Sequence, residues 1–290
     1  MSTGTYHVTV GAFECVAVGD GAFTYPASML FVNAAPDQLV RALRAHHLPA
    51  QEVSISYTCL VVMAGRHRVL VDTGAGRLVP STGQLLARLH AEGIAPGDID
   101  TVILSHGHPS QIGGATDGEG APTFPNARYV MARDEWAFWT SEAALKEMEE
   151  LLVTSARTHL PPLRGQLDLI EPDATILPGI RALAAPGHTP GHMALLIEAG
   201  AERLLYSGDA AFHPLHLAYP AWYPSFDWRP EQSVATRRAL FAHAAAEKYL
   251  VLGCHFPFPG LGYVGQQRTR WQWQPLHLAS RDPERARRSP

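Results

Sequence analysis

Short apolar runs in this chain repeatedly end beside a glycine, an aspartate or a histidine, and that recurrence constrains its fold more than any other feature. Val69-Leu70-Val71 leads into Asp72-Thr73-Gly74, and Thr101 to Leu104 leads into Ser105-His106. Leu204-Leu205-Tyr206 leads into Ser207-Gly208-Asp209, and Tyr249 to Leu252 into Gly253-Cys254-His255. Apolar runs this short, closed by turn residues, read as buried strands. Polar groups at such strand ends are where α/β folds build their sites, because a rigid sheet edge holds loop residues in register.

Other segments fill in the frame. Thr58 to Ala64 and Arg68 to Val71 read as a hairpin around Gly65, and Ala194 to Ile197 with Arg203 to Tyr206 as another. Ser81 and Gln84 have the spacing of a capping box before Leu85, Leu86 and Leu89, which recur at helical spacing as far as Gly93. Arg128 to Met131 reads as a strand and Asp134 to Ala156 as one long helical region. Pro230 suits a first helical position before a helix over Glu231 to Glu247. With no internal repeat, low-complexity block or long linker, residues 1–280 are expected to form one domain, with 281–290 a flexible basic tail.

Composition excludes several function classes. The 290 residues are 46% hydrophobic and 17% charged, with a formal net charge of −4. That balance gives no footing for nucleic acid or an anionic membrane as partner. Three scattered cysteines without a Cys-x-x-Cys pair suggest no disulfide framework, and no signal-like or membrane-spanning run is evident. The expected setting is a reducing cytoplasm.

Position, not number, singles out the important histidines among the fifteen. His7, His46, His47, His67, His90 and His243 read as ordinary surface or core residues. His106 and His108, one residue apart in Ser105-His106-Gly107-His108-Pro109-Ser110-Gln111-Ile112-Gly113-Gly114, project to one side of an extended loop and can reach one ion. The turn Ala185-Pro186-Gly187-His188-Thr189-Pro190-Gly191-His192 supplies another imidazole, Asp209 a carboxylate and His255 a further imidazole.

Taken in order, these motifs resemble the metallo-β-lactamase superfamily over about residues 10 to 270. His255-Phe256-Pro257-Phe258-Pro259-Gly260-Leu261-Gly262-Tyr263 is similar to the branch holding methyl parathion hydrolase and the larger quorum-quenching N-acyl-homoserine lactonases. Asp209-Ala210-Ala211-Phe212-His213-Pro214 and Pro220-Ala221-Trp222 suit the same branch. The resemblance implies an α/β fold, an αββα four-layer sandwich, with a two-metal site across one edge of its sheets. It assigns His106, His108 and His188 to the first metal, Asp209 to a bridge and His255 to the second metal. Asp72 would orient the histidine loop, His192 would be structural, and His213 and His216 would line the pocket or pack in the core. Relatives of this branch are often dimers, so a homodimer is one expected assembly.

The chain departs from the family pattern where Asp and His should follow His108. Ser110 and Gln111 stand there, and neither hydroxyl nor carboxamide competes with carboxylate or imidazole for a transition metal. The second site keeps Asp209 and His255, with Gln111 as a weak ligand at best and Ser110 beside it. His106, His108, His188 and Asp209 remain a complete tetrahedral set, so the expectation is one metal ion, zinc first, with iron or manganese as alternatives. The leading function is a mononuclear hydrolase of a lactone, ester or related acyl bond through metal-activated water, with Asp209 and His255 as catalytic candidates. Two alternatives are a non-hydrolytic biosynthetic enzyme, using the metal as Lewis acid for cyclisation, elimination or isomerisation, and a non-catalytic ligand-binding homologue. Phe23, Tyr25, Met29, Phe31, Trp222 and Tyr223, with Trp136, Trp139, Phe226 and Trp228, are candidate pocket walls suiting an apolar or aromatic small molecule.

Overall fold

The computed structural model describes residues 4–268 and 270–276; the basic tail expected over 281–290 lies outside them. Among the described residues, fourteen strands form two seven-stranded sheets. The first runs in chain order through β1 (Thr5–Val10), β2 (Phe13–Pro26), β3 (Glu52–Ala64), β4 (His67–Val71), β5 (Thr101–Ile103), β6 (Arg128–Ala132) and β7 (Leu167–Ile170). Its first four strands pair antiparallel, and β4 to β7 pair parallel. The second sheet runs through β8 (Thr175–Leu177), β9 (Ile180–Ala184), β10 (Met193–Ala199), β11 (Glu202–Tyr206), β12 (Leu250–Leu252), β13 (Leu261–Gln267) and β14 (Arg270–Pro275). Only the β11–β12 pairing in it is parallel.

Strand alternation sorts the apolar residues into layers. Cys15, Ala17, Leu60 and Val62 meet Leu195, Ile197, Leu204 and Leu252 between the two sheets. Their neighbours Val16, Val18, Cys59 and Val61 point the other way, beneath helices Leu85–Ala91, Arg133–Trp139 and Glu150–His159. On the second sheet Ala194, Leu196, Leu205 and Val251 pack against Phe241 and Ala244 of helix Pro230–Ala246. Period-two side chains with both faces covered explain why these strands read as unbroken apolar runs rather than alternating ones. The result is the expected order of helix, sheet, sheet, helix. A satellite cluster joins Leu30, Phe31 and Leu43 to Val53, Ile55, Tyr57, Phe212, Leu215 and Trp222 beside the sheet ends.

Two local expectations are corrected. The region expected as one helix over Asp134 to Ala156 is three, Arg133–Trp139, Glu142–Glu147 and Glu150–His159. The break is chemical: the Ser141 side chain accepts the Ala143 N–H, so it starts a new helix instead of continuing the old one. The capping box at Ser81 and Gln84 does not form; Gln84 is the N-cap and makes no side-chain cap bond. The buried Asp20 carboxylate takes the Leu85, Gly83 and Ala75 N–H groups, and a partner 65 residues away thus replaces the local cap.

The recurring motifs leave the C-terminal ends of the parallel-paired strands. Asp72 follows β4, Ser105-His106 follow β5, Asp209 follows β11 and His255 follows β12, while His192 immediately precedes β10. Parallel pairing sends these strand ends in one direction, so groups separated by up to 183 positions, from Asp72 to His255, converge on one seam. Leu195, fully buried between the sheets, tests the packing. Leu195→Ala is expected to cost about 2–5 kcal/mol in unfolding free energy, read as a lowered denaturant midpoint at unchanged m-value.

Candidate metal centre

His106 and His188 each have one ring nitrogen fixed and the other aimed inward. The Ser105 hydroxyl donates to Asp72 Oδ2 (2.7 Å), so it can accept only from His106 Nδ1 (3.1 Å). The Ser105 N–H and the Tyr206 hydroxyl also donate to the Asp72 carboxylate, each at 2.7 Å. Asp72 itself sits at φ 58°, a left-handed conformation tolerated by aspartate that turns the chain sharply at the end of β4. His188 donates from Nδ1 to Asp227 Oδ1 (2.8 Å). These contacts leave the His106 and His188 Nε2 lone pairs facing each other's neighbourhood, with His108 Nε2 beside them.

Those three Nε2 atoms are buried and have no hydrogen-bond partner. They lie with an Asp209 oxygen in a set whose ligand atoms are all within 4.8 Å of one another. Asp209 Oδ2 is 3.1 Å from His188 Nε2 and 3.4 Å from His106 Nε2, close enough for charge attraction but outside hydrogen-bond geometry. Three orphaned imidazole nitrogens and a carboxylate are a donor set that fits a tetrahedral transition-metal ion. His192 is different: Nδ1 faces the Ala185 carbonyl (2.8 Å) and Nε2 accepts the Asp209 N–H (2.9 Å), so both nitrogens are committed to the loop.

The electrostatics express the same demand. Burial opposes ionisation of Asp209, but His255, His106 and His188 outweigh it and hold the carboxyl well below its ordinary range. Burial and the neighbouring histidines push His108 down. Burial also opposes a charged His188, yet Asp209 and Asp227 prevail and raise it to about 9. Ligation requires neutral imidazole, so a bound cation competes with the proton these two carboxylates favour on His188.

Against this geometry, the family model of the metallo-beta-lactamase superfamily matches residues 53–253. The chain belongs to the metallo-β-lactamase superfamily. The N-acyl homoserine lactonase AiiA of Bacillus thuringiensis subsp. kurstaki is 26% identical over 228 residues, covering 71% of this chain and 84% of that protein. Among solved structures, AidC, described as a dizinc quorum-quenching lactonase in complex with a product, superposes with a TM-score of 0.89 at 26% identity, over 94% of this chain and 98% of its own. AbOPH, described as a hydrolase in the beta lactamase superfamily, does so with a TM-score of 0.89 at 25% identity, over 96% and 99%. With these relatives, this superfamily member is a metal-dependent hydrolase of the lactonase-like branch. No helix among the described residues is long and apolar enough to cross a membrane.

Two residues that hold the superfamily site together escaped the sequence reading. Glu135, fully buried, accepts from Gly107 N (2.8 Å), Trp139 Nε1 (2.6 Å), Thr189 Oγ1 (2.7 Å) and Gly191 N (2.8 Å). One carboxylate therefore ties the His106–His108 loop to the His188 loop. Asp227 orients His188 as described. Both stand among aromatics, in Glu135-Trp136-Ala137-Phe138-Trp139 and Phe226-Asp227-Trp228, and an acid within an aromatic run is the signal that could have revealed them.

The candidate pocket residues divide. Tyr25 is linked to the site: its hydroxyl is 2.6 Å from that of Tyr57, whose ring lies 5.3 Å from His255. Phe226 lies 5.6 Å from Tyr25 and 5.4 Å from Phe212, which stacks on His255 at 4.5 Å. Phe23 packs on the outer side of Tyr25 at 4.9 Å. Phe31 and Trp222 are satellite-core residues, packed on each other at 5.5 Å, with His216 against Phe31. Met29 and Tyr223 brace neighbouring segments through backbone bonds to Ser225 and Val32. Trp139 lies against His108 but is fully buried; Trp136 packs on the outer core, and Trp228 bonds Glu147. His213 and His216 are also buried, with His213 Nδ1 accepting from Leu215 N and His216 Nε2 at the Leu30 carbonyl.

Two tests follow from these contacts. Asp227→Asn keeps the shape but weakens the anchor of His188, so metal affinity measured against a competing chelator is expected to fall about 10–100-fold. His213 is depressed to about 3 by burial and by His46, so between pH 6.5 and about 3 the unfolded chain binds the extra proton. Its contribution to stability is complete above pH 6.5 and is lost as pH falls through that window. His213→Gln should flatten the fall in unfolding free energy there, by up to about 1.4 kcal/mol per pH unit relative to the unsubstituted protein.

Proposed function

We propose that this chain is a mononuclear hydrolase of a lactone, ester or related acyl bond, with one ion, zinc by ligand chemistry, on His106, His108, His188 and Asp209. The observation that carries this reading is the convergence of three buried, unpartnered Nε2 atoms with Asp209 Oδ2. Bound there, the ion supplies Lewis acidity that polarises an acyl carbonyl and lets water ionise near neutral pH. The chain's own residues supply the rest. Asp227 holds the His188 ring, Asp72 holds the His106 ring through Ser105, Glu135 ties their two loops together, and Asp209, ionised and beside them, completes the ligand set. His255 Nε2 lies 3.2 Å from the same carboxylate.

The relatives' names support an acyl substrate, since AiiA and AidC are called N-acyl homoserine lactonase and quorum-quenching lactonase. The ring series Tyr25, Phe226, Phe212 against His255 supports an apolar acyl group, because aromatic faces bind chains and rings better than small polar solutes. The core shared by both sheets supports treating residues 1–280 as one domain.

The test is turnover in oxygen-18 water on a panel of N-acyl homoserine lactones and aryl esters. Zinc-loaded protein is expected to turn over at least one class and place one labelled oxygen in the acid product, with kcat/KM falling more than about 100-fold in His108→Ala. No turnover on the panel would refute the acyl-hydrolase reading. Product without label would replace it with Lewis-acid chemistry that excludes water.

A further inference from the structure

The two residues that depart from the superfamily pattern are bonded to each other and to the remaining groups of the second metal position. Ser110 Oγ donates to Gln111 Oε1 at 2.6 Å. Gln111 Nε2 lies 3.0 Å from Asp209 Oδ1 and 3.3 Å from His255 Nε2. The side chain is buried, and its backbone is held on both sides: the Gln111 carbonyl accepts from the Thr73 N–H and hydroxyl, each at 2.7 Å, and its N–H reaches the His108 carbonyl.

The direction of the carboxamide matters. Turned over, its oxygen would lie 3.0 Å from a carboxylate oxygen, an arrangement of two acceptors with no proton between them. The NH2 therefore faces Asp209 and His255, and the oxygen faces the Ser110 hydroxyl. This is opposite to the orientation that weak ligation through the Gln111 carbonyl oxygen would need, and an amide NH2 offers donors only. His255 Nδ1 is occupied at the Ser56 carbonyl (2.9 Å), so in the neutral ring Nε2 is left as an acceptor, 3.2 Å from Asp209. Two acceptors this close need a cation or a pair of N–H donors beside them, and the Gln111 NH2 supplies the pair.

The same contacts divide the Asp209 carboxylate. Oδ1 takes the Gln111 amide and the Cys254 thiol (3.3 Å), whereas Oδ2 faces His188 and His106. One oxygen is left for the three-histidine site, and the other is spoken for. We propose that Gln111, braced by Ser110, is a built-in replacement for the second metal ion: its amide hydrogens bridge Asp209 and His255, close that position and hold the chain to a single ion. Gln111 is then a positioning residue that sets metal number and aims Asp209 Oδ2 at the first site. This inference rests on the single-ion reading above and gives the departure from the family pattern a structural role.

The test is metal stoichiometry, by elemental analysis after equilibration with excess Zn²⁺ and by electron paramagnetic resonance after loading with Co²⁺. Gln111→Glu conserves the shape and exchanges the NH2 donor for a carboxylate oxygen, turning the closure into a ligand beside Asp209 and His255. Ser110→Asp with Gln111→His supplies two metal ligands and is the second variant, in case the first folds poorly. The protein is expected to hold about one equivalent with isolated Co²⁺ signals. Both variants are expected to hold about two, with magnetic coupling between neighbouring ions. A coupled pair in the unsubstituted protein would overturn the proposal. So would one equivalent in folded variants that keep their first ion. Absence of acyl turnover with an intact one-to-two contrast would refute the hydrolase reading and leave this proposal standing. One equivalent in all three proteins, with turnover retained, would do the reverse.

Discussion

A carboxylate buried at the seam of two sheets costs several kcal/mol unless opposite charge or N–H donors surround it, and Asp209 is such a group, 1% exposed. Much of the seam consists of its partners. Gln111 and Cys254 stand at one oxygen, His188 and His106 at the other, His255 beside both, and its own N–H is held by His192. Remove the carboxylate and five polar side chains from three separate segments lose their common centre. The imidazoles converge on the same charge, which is why a site for a cation and a structural keystone coincide here.

Convergence of this kind also needs rigidity, and other buried acids provide it. Asp72 holds the His106 loop through Ser105 and is raised to about 6 by burial, against the pull of His106 and the bonds from Ser105 and Tyr206. Glu135 fastens the His106–His108 loop to the His188 loop from the helical layer. Close approach makes this fastening possible, because a Cβ at Gly191 would run into the Glu135 backbone and one at Gly107 into the Trp139 ring. The inter-sheet core sets the strand ends, the acids set the rings, and the lone pairs point inward as a consequence.

The chain brings three histidines and Asp209 together on one side of its centre and surrounds the other side of that carboxylate with hydrogen bonds. AidC, so similar in backbone, is described as dizinc. Here the corresponding neighbourhood contains an amide, a hydroxyl and a thiol around Asp209 and His255. Hydrogen bonds there satisfy charge that metal coordination would otherwise satisfy, and they do so without deprotonating anything. The difference lies in two adjacent side chains on a short helix, Pro109–Ile112, whose backbone is pinned to the end of the β4 segment.

Much of this was legible in the sequence. Apolar runs closed by Asp, Gly or His mark strand ends because hydrophobic periodicity and turn chemistry are local properties, and His106, His108, His188 and Asp209 stand out by position alone. The break at Ser141 was also locally encoded and yet read as continuous helix, since a serine that caps and one that is merely tolerated look alike until its hydrogen bond is known. Asp20 capping the helix at Leu85, Glu135 joining two loops and the closure of Gln111 upon Asp209 could not be read locally. Each is a pairing across 65, 28 to 56 and 98 positions, decided by where the sheets bring the chain back to itself. Sequence alone determined which residues could bind a cation and which two had changed. Only the tertiary structure decided what the changed ones do, because a side chain's orientation follows from partners that folding supplies.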